Sequence, residues 1–443
     1  MNEKKVLIYG LGRSGMSLAW YLLSRGAEVF VYDDDPNAYS RPELQTLLKS
    51  EGVHPMIGIV GIKADVAIIS PGIPDDKPAV KDLRWSRNRV IDELEYGFEV
   101  VGKKIIAVTG TNGKSTVTTL LGEMLKADGR SSFYGGNLAP GRPFSSALME
   151  PPKEFYCLEV SSFQLERCEK FAPRVAVLLN ISPDHLDRHK RMERYVELKL
   201  SVFRNQAPDD YAVVNGDDET IMKNRAAIPA TVVTFALANP SADARVESGV
   251  LQFRGENLMP ATELQLPGRH NVANALAALA AAKLLNVKNE SIVQVLRTFK
   301  GLEHRLESVK EFNGVRYINN SMCTNPAAAV HSLLAFDAPV ILITGGREKN
   351  LPITEYVRTI AERAKAAILV GENRRFLAES LKKIGFARLF PLDGLENALR
   401  KAKELAQPGD VVLFSPGFAS FDAYKSFQER GQAFKNAVRE ICQ

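Results

Sequence analysis

Short apolar, β-branched runs alternate with segments of helical period along the whole chain. Val6–Tyr9, Glu28–Tyr32 and Val66–Ser70 read as strands, the last closed by Pro71-Gly72. Between the first two, Met16–Arg25 has helical spacing and stops at Gly26, a natural C-cap. A strand–helix–strand rhythm of this kind predicts parallel sheets covered on both faces. The rhythm restarts at Ile105–Thr109, which leads into a helix over Lys114–Asp128, then strands at Phe155–Val160, Val175–Asn180 and Tyr211–Asn215. Ala230–Leu266 reads as a small β-rich appendage, and Asn271–Leu285 as an alanine-rich helix. After a linker at Gly301–His304, strands near Val315–Ile318, Val340–Thr344, Ala366–Val370 and Val411–Phe414 form a further α/β unit. The reading is three successive α/β domains, residues 1–98, 99–301 and 302–443.

At 443 residues the chain is long enough for several such domains, at roughly 100–200 residues each. A net charge of +5 suits an anionic small molecule as well as nucleic acid, so it does not discriminate. Four cysteines, none in a CxxC pair, form no disulfide framework, and Cys157 inside an apolar run reads as a small buried hydrophobe. Nothing resembles a membrane span or a signal h-region, so a cytoplasmic location is expected; a monomer that binds no nucleic acid is expected alongside it.

The strongest local signal is Thr109-Gly110-Thr111-Asn112-Gly113-Lys114-Ser115-Thr116, between a predicted strand and a helix. Glycines let successive N–H groups converge on phosphate oxygens, and the helix start adds partial positive charge. Lys114 can reach the outer phosphates of a triphosphate, and Ser115 or Thr116 can offer a hydroxyl to Mg²⁺. Val108 occupies the place of the first glycine in G-x-x-x-x-G-K-[ST], so the loop is a shortened form. The plainer alternative is a glycine turn carrying a solvated lysine.

Glu159, at the end of a strand beside this loop, is placed to bind Mg²⁺ or to serve as a buried structural carboxylate. His185 is a metal-site candidate or an ordinary loop histidine. Lys199 borders the apolar stripe Tyr195, Leu198 and Val202; it either snorkels to water or, if desolvated, becomes a neutral amine able to take up CO₂. Gly10-Leu11-Gly12-Arg13-Ser14-Gly15 follows a strand, and Asp33 ends the next one. Alone, that is a dinucleotide fingerprint, and an NAD-dependent oxidoreductase is the rival reading, although a UDP-sugar also carries a pyrophosphate.

Taken together, Gly110–Ser115, Glu159–Leu165 (E-V-S-S-F-Q-L) and Asn180–Arg188 (N-I-S-P-D-H-L-D-R) resemble the central domain of the Mur ligases. Gly301–Glu307, Asn319–Pro326 and the ending Ser415–Gly431 resemble that family's C-terminal signatures. The resemblance implies a Rossmann-like domain over 1–98, a P-loop ATPase-like domain over 99–301 and a second Rossmann-like domain over 302–443, and an ATP-dependent ligase that joins D-glutamate to UDP-N-acetylmuramoyl-L-alanine through an acyl phosphate, in peptidoglycan synthesis. A family member with another acceptor, such as L-glutamate, is the alternative. It further implies that Gly110, Thr111, Asn112, Gly113, Lys114, Ser115, Thr116, Asn271, Asn274, Arg305 and Asn320 bind ATP. Lys114, Glu159, His185 and Lys199 are implied to be catalytic. Ser115 and Glu159 are implied to hold one Mg²⁺, and His185 and a carbamylated Lys199 a second. Gly12, Arg13, Ser14, Asp33, Asp34, Gly72 and Asn137 are implied to meet the UDP-sugar, and Thr324, Lys349, Ser420 and Phe427 the D-glutamate.

The chain departs from the family pattern at Asn320, where an aspartate is usual, and at Met322, where a lysine is usual. Arg347 or Lys349 is the candidate to supply the missing charge. Gly417-Phe418 replaces Ala-Cys, which suggests a reshaped acceptor pocket.

Overall fold

The computed structural model describes residues 4–138, 141–266, 268–348 and 351–443. Two compact units divide the chain, Met1–Phe299 and Lys300–Gln443. Among the described residues, three sheets organise them.

The first sheet has five parallel strands in the spatial order Val53–Pro55, Glu28–Tyr32, Lys5–Tyr9, Val66–Ile69 and Arg89–Ile91, with Lys5–Tyr9 at its centre. Central strands of a parallel sheet are buried on both faces, which is why Val6, Leu7, Ile8 and Tyr9 are apolar without alternation. The sheet order places the Gly10–Gly15 turn and Ser70 at the same C-terminal edge, where parallel α/β sheets bind ligands. The helix Arg13–Ser24 follows, and Gly26 beyond it takes the left-handed φ of +79° expected of its cap.

The second sheet has nine strands. Ile105–Thr109 lies between Val175–Leu178 and Phe155–Glu159, and Tyr211–Asn215 and Thr231–Phe235 extend it in parallel. The Ala230–Leu266 segment is therefore not an appendage. Thr231–Phe235 joins the main sheet, and Ala244–Glu247, Val250–Phe253 and Glu256–Pro260 continue its edge. Helices Lys114–Ala127 and Arg269–Leu284 cover one face; the alanines of the second let it lie close to the sheet.

The third sheet, in Lys300–Gln443, has parallel strands Val315–Asn319, Val411–Phe414, Val340–Gly345, Ala364–Val370 and Leu389–Pro391 in spatial order, with Glu307–Phe312 antiparallel at one edge. All three sheets match the α/β class read from the sequence. No helix among the described residues is long and apolar enough to cross a membrane. All four cysteines are free, and Cys157 is buried as expected.

Candidate active site

The phosphate loop joins the buried strand Ile105–Thr109 to the helix that starts at Lys114. Gly113, at φ +86°, turns the chain into that helix; a Cβ there would come within 2.3 Å of Asn274 Oδ1. Asn274 in turn donates to Asn271 Oδ1 at 3.1 Å, so the two asparagines of the alanine-rich helix sit against the loop. Asn180 clasps the loop from the next strand. Its Oδ1 accepts Asn112 N–H at 2.8 Å, and its Nδ2 donates to the Asn112 carbonyl at 3.1 Å. Thr111 Oγ1 lies 3.1 Å from Tyr195 Oη and accepts Ser182 N–H at 3.0 Å.

Beneath the loop, Ser115 Oγ donates to Glu159 Oε2 at 2.5 Å, and Asn137 Nδ2 donates to Glu159 Oε1 at 3.1 Å. Lys114 Nζ donates to the carbonyls of Gly110 at 3.0 Å and Thr111 at 2.8 Å. Lys199 Nζ donates to the same Gly110 carbonyl at 2.8 Å and lies 4.6 Å over the Tyr195 ring. Lys199 is only 2% exposed, so it does not snorkel. Burial, then the charge of Lys114, pulls its pKa down to about 7, against the opposing pull of Asp184 and Glu159.

His185 sits half-exposed at φ +53°, 3.5 Å from Asp184 and with its ring 4.9 Å from that of Phe163. Its neighbour His189, which sequence reasoning passed over, is the buried one. His189 Nε2 lies 2.9 Å from Ser162 Oγ, Nδ1 lies 3.4 Å from Glu166, and its ring packs on Phe163 and Tyr195. Burial, helped by nearby His185 and Arg188, lowers its pKa to about 4 and keeps it neutral. Apart from the order of residues around Asp184, nothing local in the sequence marks it.

The residues fit magnesium. Ser115 and Glu159 supply two adjacent hard oxygens at the mouth of a phosphate loop, and Mg²⁺ needs only one or two such ligands beside phosphates and waters. No group of three His, Cys, Asp or Glu side chains is gathered among the described residues.

In the N-terminal sheet, Asp33 accepts Leu11 N–H at 2.7 Å and Asp35 N–H at 3.0 Å, so its carboxylate holds the glycine turn itself. Asp34 accepts both Tyr9 Oη and Lys77. Gly15 is required by contact: a Cβ there would lie 2.1 Å from the Gly10 carbonyl. Arg13 reaches the Gly141 carbonyl at 2.7 Å, and the Ser14 carbonyl accepts Ser145 Oγ at 3.4 Å. The UDP-sugar candidates thus split into Arg13, Ser14, Asp33 and Asp34 near one turn, Gly72 on the adjacent loop, and Asn137 beside Glu159.

In Lys300–Gln443, Arg430 organises the candidate acceptor region. Its guanidinium donates to Ser321 Oγ at 3.1 Å and to the carbonyls of Ser321 at 2.9 Å and Phe418 at 3.0 Å. Ser321 Oγ donates to the Phe427 carbonyl at 2.8 Å, drawing Phe427 to the 319–324 loop that carries Thr324. Ser420 is buried on the same turn as Phe418. The Phe418 ring itself lies in the core, 6.3 Å from Tyr356, so it reshapes packing rather than a pocket. Asn320 is buried too. Its Nδ2 donates to Ser332 Oγ at 2.7 Å and Ser415 Oγ at 3.1 Å, and its Oδ1 accepts Leu306 N–H at 3.1 Å. Arg305 Nε points at Met322 Sδ at 3.4 Å. Arg347 pairs with Glu372 at 3.1 Å, while Lys349 lies outside the described residues.

Three family profiles match the chain: "Mur ligase MurD-like, N-terminal domain" over residues 4–92, "Mur ligase middle domain" over 108–282 and "Mur ligase, glutamate ligase domain" over 304–418. The chain is 40% identical to a UDP-N-acetylmuramoylalanine–D-glutamate ligase of Pelotomaculum thermopropionicum, covering 99% of this chain and 98% of that one. It is 37% identical to the ligase of the same name from Geobacillus kaustophilus, covering 99% and 98%. Among solved structures, the UDP-N-acetylmuramate-alanine ligase MurC of Thermotoga maritima shares the fold at TM-score 0.59 and 19% identity, over 99% of both chains. The MurF ligase of Thermotoga maritima in complex with ADP does so at TM-score 0.58 and 18% identity, over 98% and 95%.

Proposed function

The chain belongs to the Mur ligase family, and from that membership we propose that it is the ATP-dependent ligase that joins D-glutamate to UDP-N-acetylmuramoyl-L-alanine in peptidoglycan synthesis. The observation that carries the site assignment is the buried Ser115–Glu159 pair set below a loop whose Gly110 carbonyl is approached by two lysines, Lys114 and Lys199. An NAD-linked oxidoreductase would leave this arrangement without a task.

In this reading the phosphate loop, from Gly110 to Thr116, receives the triphosphate on its N–H groups beside Asn271 and Asn274; Arg305 and Asn320 are assigned to ATP as well. Magnesium held by Ser115 and Glu159, with a second ion at His185 and Lys199, would screen phosphate and carboxylate charge. Lys199 serves that role as a carbamate. Its amine is desolvated and gives up its proton near neutrality; the neutral nitrogen would then form an N–C bond with CO₂ and lose a second proton to solvent, leaving an anionic oxygen donor.

The alanyl carboxylate oxygen attacks the γ-phosphorus, a new O–P bond forms, and the bond to the β-phosphate oxygen breaks to release ADP. The neutral amine of D-glutamate then attacks the acyl carbon. The tetrahedral adduct loses the amine proton and expels phosphate, leaving the amide. Lys114 lies where it can follow the charge that develops on the transferred group. Most of the acceleration in this scheme comes from positioning and electrostatics.

Gly12, Arg13, Ser14, Asp33, Asp34, Gly72 and Asn137 are assigned to the UDP-sugar, and Thr324, Lys349, Ser420 and Phe427 to D-glutamate. Residues 1–98, 99–301 and 302–443 are proposed as the UDP-sugar, ATP and amino-acid domains, with Asn137 of the second assigned to the UDP-sugar and Arg305 and Asn320 of the third assigned to ATP. The enzyme is proposed to act as a monomer in the cytoplasm, where ATP and nucleotide sugars are made. The test is ADP release from the purified chain. The reading requires release that depends on both UDP-N-acetylmuramoyl-L-alanine and D-glutamate; equal release with L-glutamate favours the other acceptor, and no release with either rejects the reading.

A further inference from the structure

The loop Ser70-Pro71-Gly72-Ile73-Pro74 poses a hydrogen-bonding problem. Pro71 and Pro74 contribute no N–H, so the carbonyls of Ser70 and Ile73 belong to peptide bonds with no donor of their own. The Ile73 N–H is already spent on the Ser70 carbonyl at 3.0 Å. Donors for the outward carbonyls must come from elsewhere.

They come from two arginines that follow the Glu159 strand. Arg167, whose side chain is fully buried, donates to the carbonyls of Ser70 at 3.3 Å and Ile73 at 2.5 Å and pairs with Asp75 at 2.7 Å. Arg188 donates to the carbonyls of Gly72 at 3.4 Å and Ile73 at 3.3 Å. The Ile73 carbonyl is thus shared by two guanidiniums. Arg188 is itself fixed, by Glu166 at 2.8 Å and by the Phe163 ring 5.3 Å from its guanidinium carbon. Glu166 also faces His189, which packs on Tyr195, whose hydroxyl meets Thr111 of the phosphate loop. An unbroken chain of contacts therefore runs from Ile73 to Thr111.

We infer that Arg188, anchored by Glu166 and seconded by Arg167, is a positioning clamp. It sets the 70–74 loop for the UDP-sugar and ties that loop to the phosphate-loop framework. The inference rests on the proposed assignment of Gly72 to the UDP-sugar. A guanidinium is suited to the task because its planar fork addresses two carbonyls and a carboxylate at once, which an ammonium cannot do in fixed geometry.

The test is steady-state ADP release by the full chain, varying one substrate at a time. Arg188→Ala is expected to raise KM for the UDP-sugar about tenfold while KM for ATP stays within about twofold. Arg188→Lys should show the same split to a smaller degree. Glu166→Gln should show it too, and should add nothing further in the Arg188→Ala background. If Arg188→Ala does not fold, Arg188→Lys and Glu166→Gln carry the test alone. Parallel rises in both KM values, or an unchanged KM for the UDP-sugar in the folded variants, overturn the clamp. Failure of the wild-type chain to release ADP with UDP-N-acetylmuramoyl-L-alanine and D-glutamate would instead overturn the functional reading beneath it.

Discussion

Ser115 Oγ and Glu159 Oε2 stand 2.5 Å apart, joining the first turn of the helix after the phosphate loop to the C-terminal end of the neighbouring strand. Parallel pairing of Ile105–Thr109 with Phe155–Glu159, Val108 opposite Glu159, fixes that approach. The pair is polar, 1% and 4% exposed, and held on its far side by Asn137. Such a carboxylate costs stability unless it serves a charge, and a divalent cation on the bound triphosphate is the charge it would serve.

Glu159→Gln keeps shape and hydrogen-bonding capacity while removing that charge. The Mg²⁺ concentration for half-maximal ADP release should rise by about 10–100-fold, with the melting temperature little changed. A Mg²⁺ titration of the variant beside the parent measures this; overlapping curves would remove Glu159 from the metal assignment.

Lys199→Gln should lower turnover at least about a hundredfold and abolish incorporation of ¹³C-labelled CO₂ into a protein carbamate seen by NMR. A parent enzyme that binds no label while fully active would exclude the carbamate and leave Lys199 as an amine.

Gly113→Ala places a methyl group within 2.3 Å of Asn274 Oδ1 on a backbone at φ +86°. The strain costs about 1–2 kcal/mol before any clash. Lower thermal stability together with a raised KM for ATP is expected, because the group displaced is Asn274. A raised KM for the UDP-sugar with KM for ATP unchanged would contradict that placement.

Asp92 caps the helix Glu93–Val101, accepting Glu95 N–H at 3.1 Å, and is fully buried. Burial pushes its carboxyl from 3.8 up to about 8, outweighing the Glu95 hydrogen bond and Arg167. Between those values the folded chain holds a proton that the unfolded chain has released. Its contribution is therefore complete below the unfolded pKa and lost as pH rises through about 8. Asp92→Asn retains a capping acceptor without titrating. Its melting temperature should exceed the parent's above about pH 8, with the gap closing toward about pH 5. Thermal melts across that range decide it; parallel curves would count against a protonated Asp92.

What the sequence disclosed was what is local in it. Ile105–Thr109, Tyr211–Asn215 and Val411–Phe414 have the predicted limits because each has a buried centre that reads as an apolar run. The stripe Tyr195, Leu198 and Val202 is buried as its spacing required. Strands of three residues, such as Val53–Pro55, Arg89–Ile91 and Leu389–Pro391, are too short to show a period and went unread. The helix that carries most of the Tyr195, Leu198 and Val202 stripe, Met192–Leu200, tightens at its end to a 3₁₀ turn at Ser201–Phe203 that holds Val202. Partnerships across long separations were equally hidden. Arg167 meets Asp75 across 92 residues, and Glu95 accepts the N–H groups of Lys170 and Phe171 across 75 and 76. Nothing around Asp33 foretold that its carboxylate would also accept Leu11 N–H.

The central claim is that ATP is used to phosphorylate a carboxylate, and oxygen tracing tests it most directly. UDP-N-acetylmuramoyl-L-alanine labelled with ¹⁸O in its terminal carboxylate is turned over with ATP and D-glutamate, and the released phosphate is analysed by mass spectrometry. Transfer through an acyl phosphate delivers one labelled oxygen to each phosphate and leaves the other in the amide. Phosphate free of label would mean that water, not the substrate carboxylate, took the phosphoryl group, and the account would fail.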